Sequence, residues 1–240
     1  MRHVRYALLA LGMILPGASL AGDVSALQIL GFTPDGGVFA FEDYGIQDGS
    51  GFPYASRFYI NTATDDFLPN TPIRVRIDDE SADLATARTQ ARSQGEAVVP
   101  EATLTANPGF TAGFNAITEY SADPHRLVVN PRPVLPPVDR PVEFRIEELP
   151  MGAPADCQGI DDISGFRLVR VDAEPGGQTT LVHEDSSVPA SRNCPQGYRI
   201  GAVQTFYPES GDPVFAVLIA IRSMGFEGPD YRWIAVTGKL

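Results

Sequence analysis

The side chains best suited to chemistry lie close together in one loop, residues 42–54. Its candidate ligand-binding residues are Glu42, Asp43, Asp48, Ser50 and Tyr54. Calcium takes about six to eight oxygen ligands, and carboxylates, hydroxyls and backbone carbonyls around glycines can supply them. The acids do not follow the order of an EF-hand loop. The loop is therefore either a site for calcium or a small ligand, with Asp43 and Asp48 as candidate metal ligands, or the solvated surface of a hairpin.

A second acidic turn lies beside Cys157 and contains Asp156, Asp161 and Asp162. Three carboxylates within so short a segment are a weak candidate metal site. A solvated turn that leads into a strand at residue 165 would have the same composition. Both interpretations stay open at this point.

Only two histidines, His125 and His183, follow residue 21. A hydrolytic triad needs a nucleophile, a base and an orienting acid in contact. Residues 183–187 contain all three types side by side, but neighbours on an extended segment point to opposite faces. The chain also has no G-x-S-x-G, H-E-x-x-H or G-x-x-x-x-G-K motif. The sequence favours a non-enzymatic binding or protein-interaction module, and the alternative is a hydrolase or metal-dependent enzyme that combines the 42–54 loop with His125 or His183.

The first 21 residues have the order of a secretory signal peptide. Arg2 and Arg5 precede an apolar stretch at 6–15, and small residues follow up to Ala21. The apolar stretch is shorter than the roughly 20 residues that span a bilayer. We expect cleavage after Ala21, no stable membrane insertion after it, and a periplasmic or secreted protein.

The charge of the chain argues against nucleic acid as a partner. The formal net charge is -12, and the loss of Arg2 and Arg5 makes it -14. Lys239 is the only lysine, whereas nucleic-acid binding needs clustered cations. The expected partners are an envelope protein of the cell or a small ligand. Calcium is the one cofactor that the sequence suggests.

The two cysteines, Cys157 and Cys194, allow one pairing. An exported protein meets an oxidising compartment, and the C-x-x-C spacing of redox and zinc sites is missing. We therefore predict a structural disulfide, which is worth up to about 4 kcal/mol in the chain-entropy view.

Short alternating runs bounded by Gly, Pro, Asn and Asp predict a mostly antiparallel all-β protein. The predicted strands are 26–31, 37–44, 56–61, 72–77, 126–130, 142–148, 165–172, 178–184, 198–205, 213–222 and 231–237. One helix is predicted near 81–94, with Ser81 or Asp83 as its cap. Residues 95–125 have no clear pattern. We expect one β-rich domain at 22–240, or two halves at 22–130 and 142–240 that the proline-rich segment 131–141 joins.

One hairpin pattern occurs twice. Residues 38–60 align without a gap on residues 214–236, at an offset of 176, and both copies keep the Val-Phe-Ala start, a glycine and a proline. The second copy keeps these turn residues and loses the acids. A duplicated hairpin predicts two similar units that pack on each other.

The turn and strand at 33–41, Thr-Pro-Asp-Gly followed by Phe-Ala-Phe, resemble the blade signature of TolB-like β-propellers. The chain also resembles a bacterial family of predicted secreted proteins that is known as a domain of unknown function. The matching segments are 31–36, 39–42, 48–54, 71–76, 225–230 and 234–238. These resemblances imply export and two packed sheets of blade-like hairpins, as an incomplete propeller or a sandwich. They imply no catalytic residue.

Overall fold

The computed structural model describes residues 22–174 and 176–240, so the predicted signal peptide lies outside the described residues. The strands and helices are β1 (Ala26–Phe32), β2 (Val38–Ile46), β3 (Pro53–Asn61), β4 (Asp66–Phe67), β5 (Ile73–Arg76), α1 (Leu84–Gly95), α2 (Glu101–Thr105), β6 (Phe110–Phe114), β7 (Arg126–Val129), β8 (Val142–Pro150), β9 (Ser164–Asp172), β10 (Thr179–Glu184), β11 (Pro195–Phe206), β12 (Val214–Met224) and β13 (Pro229–Lys239). All pairings between these strands are antiparallel. The all-β prediction is confirmed.

The strands form three sheets rather than the predicted two. The helix-side sheet contains β1–β5, the central sheet runs β13-β12-β11-β6, and the outer sheet runs β10-β9-β8-β7. One apolar cluster joins the helix-side and central sheets, and another joins the central and outer sheets. The molecule is thus a stack of helix, sheet, sheet and sheet.

Strand β12 explains why a third sheet is needed. Its residues 214–221 are apolar without interruption, and all of them are buried. Successive side chains point to opposite faces. Phe215, Val217 and Ile219 pack toward the outer sheet, while Ala216 and Leu218 pack toward the helix-side sheet. A strand that is apolar on both faces requires a cover on each, and two sheets supply only one.

Helix α1 lies where the sequence predicts a helix and covers the free face of the helix-side sheet. Asp83 caps it, because its Oδ1 accepts a hydrogen bond from the Ala85 amide at 2.9 Å. The small residues Ala87 and Ala91 are fully buried against this sheet. Gly95 is the last residue of the helix. Its lack of a side chain lets the helix approach the sheet closely, since a Cβ there would overlap the hydroxyl oxygen of Tyr59.

Two segments outside the predicted strands connect parts of the sheets. Residues 95–125, which showed no clear pattern, contain the short elements α2 and β6, and β6 pairs with β11 at the edge of the central sheet. The proline-rich segment 131–141 connects β7 and β8, which are neighbours in the outer sheet. The hydroxyl of Thr205 donates to the carbonyl of Pro131 at 2.6 Å, so the segment is packed on the central sheet. The segment therefore links two adjacent strands of one sheet.

The duplicated hairpins are β2–β3 and β12–β13, and both are regular antiparallel pairs. Their registers differ: Val38 pairs with Asn61, whereas Val214 pairs with Lys239, two positions further along than the alignment implies. The connecting loop is correspondingly shorter, 225–228 compared with 47–52. A shift of two residues keeps every side chain on its face of the sheet, whereas a shift of one would reverse the faces.

Candidate functional site

The residues of the acidic loop go to three different places. Glu42 and Asp43 are neighbours on β2 and so lie on opposite faces of the helix-side sheet. Tyr54 lies on the same side as Asp43. Asp48 and Ser50 lie at the hairpin tip, in an open depression. Of the five candidate ligand-binding residues, the structure brings Asp43 and Tyr54 together.

Glu42 is fully buried and belongs to an ion-pair network under the helix. Its Oε2 accepts a hydrogen bond from Arg57 Nε at 2.8 Å, and its Oε1 accepts one from Arg88 Nε at 2.6 Å. Arg57 also donates to Glu101 of α2 at 2.6 Å. Both carboxylate oxygens are occupied, so this cluster fastens the helices to the sheet.

Asp43 lies in the wall of a pocket between the two duplicated hairpins, which we call the Asp43 pocket. Its volume is about 210 Å³. The first hairpin contributes Asp43, Tyr54, Ser56 and Phe58, and the second contributes Ile221, Ser223, Arg232, Trp233 and Ile234. The remaining wall consists of Phe67, Arg74 and residues 191–193. The pocket therefore exists because the two copies of the hairpin pack on each other.

The carboxylate of Asp43 is the most unusual group of this pocket. Asp43 is 2% exposed, and its Oδ1 is buried without a hydrogen-bond partner among the described residues. Its Oδ2 accepts one long hydrogen bond, 3.4 Å, from the backbone amide of Trp233. Burial raises the pKa of Asp43 to about 6, although this amide, the nearby Arg232, the hydroxyl of Ser56 and Arg74 act in the opposite direction. A buried acid with an unsatisfied oxygen is costly to the fold, and such groups are concentrated at functional sites.

Three arginines line the pocket, and two of them have acidic partners. Arg232 pairs with the buried Asp23 and lies over the ring of Tyr54, 4.7 Å from its centroid. Arg192 pairs with Asp185. The exposed Arg74 lies 5.8 Å from the ring centroid of Phe58, and no carboxylate among residues 22–174 and 176–240 forms an ion pair with it.

The disulfide fastens one wall of the pocket. The structure pairs Cys157 with Cys194, which confirms the prediction. Residues 190–192 form a short 3-10 turn directly before Cys194, and Ser191, Arg192 and Asn193 line the pocket. Irregular backbone of this kind has few ladder hydrogen bonds to hold it. The covalent link therefore keeps this wall in place.

The two histidines lie away from Asp43. His183 contacts Asp185 at 2.9 Å, stacks on Phe166 and has Asp65 at 3.9 Å. His125 lies 3.4 Å from Glu148 in another depression of the surface. Neither imidazole lines the Asp43 pocket. His183 is connected to the pocket indirectly, because its partner Asp185 pairs with Arg192, which lines the pocket.

The candidate metal ligands do not converge. Asp48 accepts a hydrogen bond from the backbone amide of Glu227 at 2.9 Å, which joins the tips of the two hairpins. Asp156, Asp161 and Asp162 are exposed in the turn around Cys157. Within the part of the chain that the structure describes, no group of three acidic, histidine or cysteine side chains is placed to hold a metal ion.

Sequence reasoning missed most of the pocket. Arg74, Arg192, Arg232, Ser223 and Trp233 come from four separate elements, so no local motif connects them. One signal was present for Asp43. At the offset of 176, Asp43 aligns with Ile219, a fully buried core residue. An acid at the equivalent of a core position indicates a buried carboxylate rather than a solvated one.

The comparison with protein families gives one match: the model described as "Predicted secreted protein (DUF2259)" matches residues 40–239. The chain belongs to this family. No curated protein and no solved structure matches it. The TolB-like blade resemblance gains no support from these comparisons. Among the described residues, no helix has the length and apolar character of a membrane span.

Proposed function

We propose that this secreted protein is a periplasmic or extracellular binding module that takes a small polar ligand into the Asp43 pocket. The observation that carries the proposal is the carboxylate of Asp43, which is buried in the pocket wall with Oδ1 unpartnered among the described residues. A ligand that donates a hydrogen bond to this oxygen would remove the cost of leaving it unsatisfied.

The composition of the walls supports a binding role. Trp233, Phe58 and Phe67 provide aromatic surface, and Ser56 and Ser223 provide hydroxyl groups. Small-molecule sites typically combine apolar walls with a few placed polar groups. The volume of about 210 Å³ lies below the roughly 300–1,000 Å³ of pockets for drug-sized ligands, so the ligand is a small metabolite.

The test is a thermal-shift screen of the mature protein against amino acids, sugars, nucleosides and organic acids. A ligand that binds only the folded state raises the melting temperature. We expect at least one compound to raise it for the wild type and to have no effect on Asp43→Asn. Asp48→Asn is the matched control, because Asp48 lies in the same loop outside the pocket. If no compound acts on the wild type, or if Asp43→Asn responds equally, the proposal is wrong.

A further inference from the structure

We propose that the ligand of the Asp43 pocket is a small zwitterion of the α-amino acid type, with its ammonium group at Asp43 and its carboxylate at Arg74. This inference rests on the proposed function and names the ligand class of the same pocket.

The charges of the pocket carry the first step. Two of its three arginines have acidic partners outside the pocket wall, since Arg232 pairs with Asp23 and Arg192 pairs with Asp185. Asp43 and Arg74 are left, one negative and one positive, without an ionic partner among the residues described here. A ligand with one charge of each sign is complementary to this pair.

The burial of Asp43 carries the second step. A hydroxyl group would satisfy the hydrogen-bond capacity of Oδ1 but would leave the buried negative charge without a direct ion pair. An ammonium group satisfies both requirements and forms the stronger, charge-assisted hydrogen bond. A simple anion is disfavoured at this position, because it would meet the carboxylate of Asp43.

Arg74 suits the carboxylate end. It lies on β5 and its side chain is exposed, so it can reorient, and the guanidinium group matches a carboxylate with two parallel hydrogen bonds. The rings of Trp233 and Phe58 line the same pocket and provide apolar surface for the ligand's carbon atoms. Aromatic faces also attract a bound ammonium group.

The binding should depend on pH in a defined direction. The charged and titratable groups around Asp43 are Arg232 on β13, Arg74 on β5, Tyr54 on β3, Asp23 before β1, and Arg192 in the 3-10 turn. Burial raises the pKa of Asp43 to about 6 in the free protein, and an ammonium partner would lower it. Affinity should therefore be constant from about pH 7 up to the alkaline pH at which the ligand's ammonium group loses its proton, and fall up to about tenfold per pH unit below pH 6.

The experiment is isothermal titration of the mature protein with each standard proteinogenic amino acid at pH 7.5. The best binder is then compared with its decarboxylated amine and its deaminated acid, and with glucose and acetate. We expect both truncated forms to bind at least tenfold more weakly. Asp43→Asn should abolish detectable binding, and Arg74→Gln should weaken the amino acid about tenfold while leaving the amine unchanged.

Several results would contradict the proposal that the ligand is a zwitterion. They are the absence of binding by every amino acid, an amine that binds as tightly as its parent amino acid, and an affinity that Arg74→Gln does not change. Binding of glucose that Asp43→Asn abolishes would refute the zwitterion and leave the proposed pocket function intact. The two proposals can therefore fail separately. Circular dichroism of each variant, with Asp48→Asn as the control, verifies that the fold is retained.

Discussion

The two copies of the hairpin bury equivalent positions with opposite chemistry. Glu42 and Asp43 of the first copy align with Leu218 and Ile219 of the second, and all four side chains are at most 2% exposed. The second copy lies at the centre of the stack, where apolar sheets cover both of its faces. In the first copy, Glu42 meets arginines under the helix, and on the opposite face Asp43 meets the pocket beside the apolar residues that pack on the central sheet. Equal burial therefore supports either core packing or a charged site, depending on what lies opposite.

The largest expected effect comes from placing the chemistry of the first copy in the second. Ile219→Asp would bury a carboxylate between the central and outer sheets, where the surrounding cluster is apolar. We expect a loss of about 5 kcal/mol or more in the free energy of unfolding, or no folded protein. Urea unfolding measures this loss.

Ile219→Val is the control for that change, with an expected loss of about 1 kcal/mol. If Ile219→Asp remained as stable as this control, the central position of the second copy would not explain its apolar character.

The reverse exchange tests the first copy. Glu42→Leu would leave Arg57 buried with one acidic partner, Glu101, and would remove the acidic partner of Arg88. Breaking a buried ion pair by removing one member costs about 3–5 kcal/mol. Urea unfolding at neutral pH should show a loss of this size.

The double variant Glu42→Leu/Arg57→Met distinguishes the effect of the paired charges from the effect of the side-chain volumes. Replacing a buried pair by apolar residues of similar volume is often close to neutral, so we expect it to recover most of the lost stability. A double variant as unstable as the single one would mean that Glu42 stabilises the fold by other contacts.

The third wall of the pocket belongs to neither copy, so it can be released separately. Cys157→Ser/Cys194→Ser removes the link that holds residues 190–193. We expect a loss of up to about 4 kcal/mol and a weaker response to any pocket ligand, while the two hairpins persist. Urea unfolding and the thermal-shift screen measure the two effects. Unchanged ligand binding in the double variant would show that this wall is dispensable.

Apart from the controls, the smallest expected change is a gain in stability from Asp43→Asn. Because the pKa of Asp43 is raised from 3.8 to about 6 in the folded state, ionised Asp43 destabilises the fold above pH 6. The stability that this acid contributes is fully present below pH 3.8 and is lost as the pH rises through about 6. Asp43→Asn should therefore gain about 3 kcal/mol over the wild type at pH 8.

The difference between Asp43→Asn and the wild type should be small at pH 4 and grow between pH 4 and 7. Unfolding curves across this range measure it, and Asp48→Asn serves as the control without such a trend. A difference that stays constant with pH would contradict the raised pKa and remove its support for the pocket.

Most of the strands could be predicted because their signal is local. The observed β1, β8 and β9 lie within two residues of the predicted 26–31, 142–148 and 165–172. Alternation and turn residues encode such elements directly. Strand β6 and helix α2 could not be predicted, because five residues are too few to show a period. The third sheet required knowing that both faces of β12 are covered.

The sequence by itself determined that the chain has a duplicated hairpin, paired cysteines and the features of an exported protein. These are properties of neighbouring residues or of residue types. Only the tertiary structure decided that Asp43 faces Trp233 and Arg74 while its neighbour Glu42 faces the helices. The physical reason is that a strand sends adjacent side chains to opposite faces, and what each one meets depends on layers that lie far away in the chain.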